Sequence, residues 1–510
     1  MPRNLARLAE ETLARLGDHP ALVFEGRTFT STELQVRARR VAGGLSHLGV
    51  SPGDRVVVLM ANCPEVLITY NALWRAGAVI TPVVFLVTPA ELNHILTDSG
   101  AVAVVCTEEL LGSVQRGSEG VTTLRHVVVV GEDVDASTGP PAISAYRDLE
   151  SSEEHALVER DDQDLAALMY TGGTTGRAKG VALTHANLWS AGRSLWDAVE
   201  VPGLTRTLTP LPLSHAYGLI VAVTAMHASE PGVAIIQRWF NPSDFLELCA
   251  THRVERTALV PSMIQMLLAQ PLEEADLSTL RVVGSGSAPL AMSVMQEFER
   301  RVPTCEILEG YGCTETGAVA TANAPGRRRA GSVGTAVPHY GVRILDDAGT
   351  VLLTGEDGEV CVRGPGVMAG YWHASEETAM ALDGGWFHTG DIGHLDDDGY
   401  LYIVDRKKDL ILRGGFNVFP RDVEEVLLAH PDVSAAAVVG RPDPRLGEEV
   451  VAFITLQPGA TAGPGELVEF AKTRLAANKY PREVVIVDRI PLTSVGKLDR
   501  KALRARLPGS

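Results

Sequence analysis

Between residues 18 and 140 the chain alternates short apolar runs with longer amphipathic stretches. Residues 56–60 (Val-Val-Val-Leu-Met) and 101–105 (Ala-Val-Ala-Val-Val) carry no polar position, as strands buried on both faces require. Thr30-x-x-Glu33 is a capping-box signature and predicts a helix that opens there and ends near Gly49. Upstream, residues 4–16 repeat apolar positions at Leu5, Leu8 and Leu13 and close at Gly17. That spacing predicts an amphipathic helix rather than a signal peptide. Gly139-Pro140-Pro141 interrupts the pattern as a loop. It resumes with a buried strand at 165–169, with Val233–Ile236 and with Val282-Val283, then becomes β-rich and turn-rich between Gly331 and Tyr402. Such alternation predicts α/β layers on mainly parallel sheet.

Five consecutive charges, Asp405-Arg406-Lys407-Lys408-Asp409, mark the sharpest boundary. They are costly to bury, so the segment is expected to cross the surface. The expected organisation is a large domain over 1–405, of layered α/β subdomains plus a β-rich subdomain, and a small mobile α+β domain over 406–510. In the latter the pattern predicts a helix from Pro420 to about His430 and strands near 435–439 and 450–456. A second helix is predicted over about 465–475, and a last strand over 484–487.

Composition narrows the function. A chain of 510 residues exceeds what one core supports, and 45% apolar with 21% charged residues is ordinary for a globular protein. A formal charge of −18 argues against nucleic-acid binding. The charge is uneven: 406–510 hold 17 basic and 13 acidic residues, a net of +4, which leaves −22 on 1–405. This skew points to an anionic ligand met by the C-terminal segment. Six cysteines without a Cys-x-x-Cys pair suggest neither zinc nor a disulfide framework. No apolar run reaches the roughly 18 residues of a membrane span. A cytoplasmic location is expected.

Three segments carry candidate chemistry. Tyr170-Thr171-Gly172-Gly173-Thr174-Thr175-Gly176-Arg177-Ala178-Lys179-Gly180 packs glycines, hydroxyls and a lysine after a predicted strand. Glycine lets backbone N–H groups close on an anion, and lysine follows phosphate oxygens as a point charge. No P-loop register can be drawn through it, and by itself it also reads as an ordinary turn. Leu308-Glu309-Gly310-Tyr311-Gly312-Cys313-Thr314-Glu315 sets an aromatic that can stack on a base four residues before a carboxylate that can hold Mg²⁺. In Thr389-Gly390-Asp391 the carboxylate is placed either to bind ribose hydroxyls or to bond its own backbone.

Taken in order, these segments resemble the adenylate-forming superfamily, which includes AMP-forming acyl-CoA synthetases, over nearly the whole chain. Tyr170–Gly180 resembles its phosphate loop, with Gly172 for the usual serine and Ala178 for the usual proline. Leu211-Pro212-Leu213-Ser214-His215 is similar to the acyl-pocket motif, and Gly286-Ser287-Ala288-Pro289 to the segment beside adenine. Tyr311–Glu315, Thr389–Asp391 and Asp405–Asp409 resemble the YGxTE motif, the ribose-binding TGD and the hinge. Arg413-Gly414-Gly415-Phe416-Asn417 resembles the CoA-channel loop, and Pro491–Lys497 the segment that ends in a catalytic lysine.

The resemblance implies ATP, Mg²⁺ and coenzyme A as co-substrates of a small carboxylic acid, in a monomer or homodimer. It implies that Thr171, Gly172, Gly173, Thr174, Thr175, Gly176 and Lys179 hold the phosphates, with Thr174 and Glu315 on Mg²⁺. Gly286 to Pro289, Glu309, Gly310, Tyr311, Gly312 and Thr314 would hold the base. Asp391 and Arg406 would take the ribose. Gly414, Gly415 and Phe416 would line the CoA channel, the hinge would lie at Lys408, and Lys497 would act on the α-phosphate, with Thr174, Glu315 and His215 in the catalytic set. The absence of an Asp after Ser214 argues against an α-amino acid, and Gly312 in place of a pocket-closing Trp admits acids larger than acetate. The stretch 217–223 is apolar, without arginine, and reads as pocket wall or as buried helix. The expected substrate is a medium- or long-chain fatty acid or another bulky hydrophobic acid. Adenylation without CoA, passing the acyl group to a carrier protein or a partner enzyme, and a non-catalytic nucleotide binder are the alternatives.

Overall fold

The apolar runs pair into two large, mainly parallel sheets. The computed structural model describes residues 3–132, 134–171, 177–492 and 498–507. The first sheet has eight strands, in the order Gly370–Tyr371, Lys179–Thr184, Leu165–Thr171, Val79–Pro82, Arg55–Leu59, Ala103–Thr107, His126–Val130 and Ala142–Ala145. Its parallel centre is the all-apolar pattern of 56–60 and 101–105, paired Val56↔Ala103 through Leu59↔Cys106. The N-terminal helix Leu5–Leu16 is capped by Asn4 and stopped by Gly17 at φ 72°. Helix Ser31–His47 opens at Thr30, whose hydroxyl accepts from the Glu33 N–H. Only half of the expected capping box forms, because the Glu33 carboxylate pairs with Arg27 instead.

The second sheet has nine strands, from Thr335–Ala336 and Thr321–Ala322 through Glu306–Tyr311, Val282–Ser285, Arg256–Leu259, Arg206–Thr209 and Val233–Ile236 to Pro20–Phe24 and Arg27–Thr30. Its faces differ, as a period of two demands. Leu208, Leu259, Val283 and Ile307 are fully buried in an apolar core on one face. On the other face Thr207, Arg256 and Val282 share one register, as do Ala258, Gly284 and Leu308. A four-stranded antiparallel sheet (Gly341–Leu345, Gly358–Arg363, Phe387–Leu395, Leu401–Arg406) supplies the expected β-rich part.

After Arg406, which still belongs to that sheet, a short helical turn Lys407–Asp409 leads to five strands of a separate sheet. Helices Pro420–Leu428 and Pro464–Lys472 and strand Glu483–Ile486 fall where the pattern predicts them. Among the described residues the buried apolar clusters reach Leu401 and start again at Ile411, with no cluster shared. The charged run crosses the surface through Arg406, Lys407 and Lys408, which are exposed, while its two carboxylates turn inward. Asp405 and Asp409 are 7% and 8% exposed. Asp405 accepts from the N–H groups of Arg406 and Arg421, and Asp409 pairs with Arg504 at 3.0 Å. Burial is tolerated because each carboxylate is bonded.

Candidate active site

The C-terminal ends of the second sheet's parallel strands open into a cavity of ≈ 2040 Å³, the usual ligand edge of such sheets. Gly286 to Pro289 follow one strand, and Glu309 to Gly312 end its neighbour; all line the cavity, as do Thr314 and Glu315. Ser287 is held at φ 69°, an unfavourable backbone for a residue with a side chain. The Tyr311 hydroxyl donates to Asp391 Oδ2 at 2.6 Å, and Arg406 Nε lies 3.0 Å from Asp391 Oδ1. Asp391 is 5% exposed and raises the pKa of the Arg406 guanidinium. Three residues 95 positions apart in sequence thus form one polar cluster. Beside them, burial pushes the Glu309 carboxyl up to about 7.

A second cluster forms where the first sheet meets the cavity. Thr171 pairs with Lys179 across the base of the glycine-threonine loop, whose Gly172, Gly173, Thr174, Thr175 and Gly176 lie outside the described residues. Lys179 Nζ stands 5.3 Å from the centre of the Tyr371 ring and 3.8 Å from Glu377 Oε1. The Tyr371 hydroxyl donates to Glu315 Oε1 at 3.0 Å. Tyr371 therefore links the lysine to the carboxylate, a position no local motif marked. It arrives through the pairing Tyr371↔Val181, a contact between segments 190 residues apart. His94 adds another unannounced support: its Nε2 lies 2.8 Å from the Ala178 carbonyl and donates to it. The loop exit is thereby tied down where proline is missing.

Glu315 fits a hard cation that arrives with phosphate. One oxygen is oriented by Tyr371, and no group of three or more His, Cys, Asp or Glu among the described residues forms a resident metal cage. Mg²⁺ typically takes one or two carboxylates together with substrate phosphates.

His215 caps helix Ala216–Ala225, its Nδ1 accepting from the Tyr217 N–H at 3.2 Å. Both readings of 217–223 hold at once. Leu219 and Ile220 are buried in the core, while Tyr217, Val221 and Ala222 line the cavity. Tyr217 packs over the strand glycines: a Cβ on Gly284 would stand 3.2 Å from its hydroxyl. Gly312 needs a different explanation from the expected one. A Cβ there would meet the backbone of Ala318 and Val319 at 2.6 Å. The glycine is required by that close approach, so it is not by itself a measure of pocket width.

Beyond the small sheet, Leu492 and Leu498 pair in an isolated antiparallel bridge and both line the cavity; Lys497, between them in sequence, lies outside the described residues. Arg489 and Lys501 also reach the cavity, as does Lys408 from the connecting turn. Gly414 and Gly415, at φ 60° and 83°, form the two-residue turn between Arg413 and Phe416, the geometry of a tight hairpin. This turn does not line the cavity, and Phe416 is 61% exposed. Arg413 is committed to Glu449 by two hydrogen bonds, and Asp422 to Lys479 at 2.7 Å.

Comparison with known proteins agrees with this geometry. The family described as AMP-binding enzyme matches residues 9–372, and the AMP-binding enzyme C-terminal domain matches 422–497. A feruloyl-CoA synthase from Amycolatopsis sp is 37% identical over 97% of both chains. A long-chain-fatty-acid–CoA ligase from Bacillus subtilis (strain 168) is 34% identical over 98% of this chain and 94% of its own. The crystal structure of ATP-bound MatB from Rhodopseudomonas palustris superposes with a TM-score of 0.88 at 33% identity, covering 99% of each chain. The chain belongs to the AMP-binding enzyme family, as an AMP-forming acid–thiol ligase that works with ATP, Mg²⁺ and coenzyme A.

Proposed function

We propose that the protein activates a bulky hydrophobic carboxylic acid as its acyl-adenylate and then transfers the acyl group to coenzyme A. In the first step a carboxylate oxygen attacks the α-phosphorus of ATP and pyrophosphate leaves. In the second the CoA sulfur attacks the acyl carbonyl, its proton is lost, and AMP leaves. The observation that carries the reading is that one cavity is bordered by the Tyr311–Asp391–Arg406 cluster, by Lys179 and Glu315, and by Tyr217, Val221 and Ala222 on the helix that His215 caps.

The first step needs no general base, since the carboxylate is already ionised. Its barrier is anion repulsion and alignment, and the remedy is fixed positive charge. In this reading Asp391 and Arg406 hold the ribose, and Tyr311 stacks on the base. Thr171, Lys179 and the loop 172–176 hold the phosphates that become pyrophosphate. Mg²⁺, when bound through Glu315 and Thr174, supplies charge neutralisation there. Lys497 approaches the α-phosphate from the small domain, whose excess of basic residues suits that task.

The second step requires the Gly414–Phe416 hairpin to come to the acyl carbonyl. We place a rotation at Lys408, between domains of 1–405 and 406–510. The lack of a shared apolar cluster supports it, because such rotation would expose no core. A panel of carboxylic acids scored together for AMP, pyrophosphate and acyl-CoA tests the reading. Equal yields of all three with a bulky acid are expected. Pyrophosphate without acyl-CoA would move the acyl acceptor to a carrier protein.

A further inference from the structure

The two legs of the glycine-threonine loop are neighbouring antiparallel strands, Leu165–Thr171 and Lys179–Thr184, and one helix reaches both ends of the loop. That helix, Pro89–Ser99, is a fixed platform. Its N-terminus closes with a complete capping box between Thr88 and Glu91. At its C-terminus the Arg55 Nε donates to the Ser99 carbonyl at 2.6 Å. Leu92, Ile95 and Leu96 bury its inner side in a core shared with Val57, Leu59, Val104 and Cys106 of the first sheet.

From this platform His94 and Asp98 stand four residues apart, on one helical face and roughly 6 Å from each other along the axis. Asp98 Oδ2 accepts from the Tyr170 hydroxyl at 2.6 Å, on the leg that enters the loop. His94 Nε2 donates to the Ala178 carbonyl at 2.8 Å, on the leg that leaves it. Paired strands lie about 4.8 Å apart, so neighbours on one helical face can serve both legs. The contacts are cross-braced. The His94 and Tyr170 rings meet edge to face with centres 6.2 Å apart. Trp372 donates its backbone N–H to the Gly180 carbonyl and its indole N–H to the Asp98 carbonyl at 3.1 Å.

Tyr170, Thr171, Ala178 and Lys179 line the cavity, whereas His94 and Asp98 do not. The helix pair can therefore act on a ligand only through the legs it holds. A proline at 178 would fix the backbone there by its own ring, and alanine leaves that task to a partner. We infer that His94 and Asp98 are positioning residues that clamp both ends of the loop and set Thr171 and Lys179 for the phosphates of ATP, with His94 supplying the constraint that alanine at 178 does not. The inference rests on the reading of Thr171 and Lys179 given above and adds what holds them.

The test follows kcat/KM for ATP in acid-dependent pyrophosphate release, beside equilibrium titration of ATP without acid. His94→Ala and Tyr170→Phe should each lower kcat/KM by about 3- to 10-fold, the size of one lost hydrogen bond, and weaken ATP binding similarly. Acyl-CoA formation from supplied acyl-AMP and CoA handles neither the β- nor the γ-phosphate and should keep its wild-type rate. Ala178→Pro added to His94→Ala should recover kcat/KM to within about 2-fold of wild type, and alone should change it by less than about 2-fold, since coupled sites are not additive. His94→Gln, which keeps an N–H at similar reach, should lose less than His94→Ala. Lys179→Met reads the underlying assignment. An unchanged kcat/KM for ATP in Lys179→Met overturns the phosphate reading, and the clamp with it. A loss in Lys179→Met with none in His94→Ala overturns the clamp alone. So does a His94→Ala loss shared equally by thioester formation, or one that neither Ala178→Pro nor His94→Gln recovers.

Discussion

The two parts of this molecule are held in opposite ways. The large part is built on buried apolar sheets, and its polar clusters are already assembled: Tyr311 on Asp391, Arg406 on Asp391, Tyr371 on Glu315. The seam with the small part is polar: Arg421 reaches the Ile403 carbonyl and its N–H donates to Asp405, and Lys407 pairs with Asp347 at 2.8 Å. A dry core fixes one arrangement, whereas ion pairs beside water can be exchanged at small net cost. The division suits a site that must hold a nucleotide still while another group visits in turn.

Breaking the visiting side has the largest expected effect. Lys497→Ala should lower acid-dependent pyrophosphate release by about 100- to 1000-fold, as loss of a transition-state charge contact does. Breaking the fixed side comes next. Asp391→Ala removes the acceptor of Tyr311 and Arg406 and should raise KM for ATP by about 10- to 100-fold, measured by pyrophosphate exchange at saturating acid. Its effect on the acid's KM should be small.

Glu309 sharpens the contrast from within the rigid part. Its folded carboxyl holds a proton up to about 7, while the unfolded chain releases it near 4.5. Stability is therefore lost as pH rises through this window, by about 3 kcal/mol once both states are ionised. Glu309→Gln should unfold at a higher temperature than wild type at pH 8 and at the same temperature below pH 4.5, where both carry a neutral side chain. The smallest effect belongs to the seam. Lys407→Met, which releases Asp347 at 2.8 Å and Glu359 at 3.5 Å, should change the ratio of the two half-reaction rates by about 2- to 5-fold, less at high salt.

Local signals in the sequence located most elements because their apolar runs were unambiguous, as with Val233–Ile236 and helix Leu5–Leu16. What escaped was set by distant pairing. Strand Pro20–Phe24 joins Val233–Ile236 of the second sheet through Leu22↔Ala234, across more than 200 residues. Tyr371 and His94 reach the exit of the glycine-threonine loop by the same kind of contact. The burial of Asp405 and Asp409 at the ends of the charged run was not legible, because charge alone does not say which partners fold over it: Arg421, Arg500 and Arg504 reach them from elsewhere in the chain. The packing reason for Gly312 was not legible, because its neighbour is the backbone of 318–319, which no pattern in the sequence places there. Of the candidate site, Asp391, Arg406 and Tyr311 were legible as motifs, but the bonds joining them were not.

The central claim is that two faces of the small domain serve the two half-reactions in turn. Lys497→Ala and Gly415→Val, which forces a side chain onto φ 83° in the hairpin, should be carried through both half-reactions separately. Acid-dependent pyrophosphate exchange reads the first, and acyl-CoA formation from supplied acyl-AMP and CoA reads the second. A crossed pattern is predicted: Lys497→Ala loses exchange and keeps thioester formation, and Gly415→Val does the reverse. Loss of the same half-reaction in both variants would contradict the account.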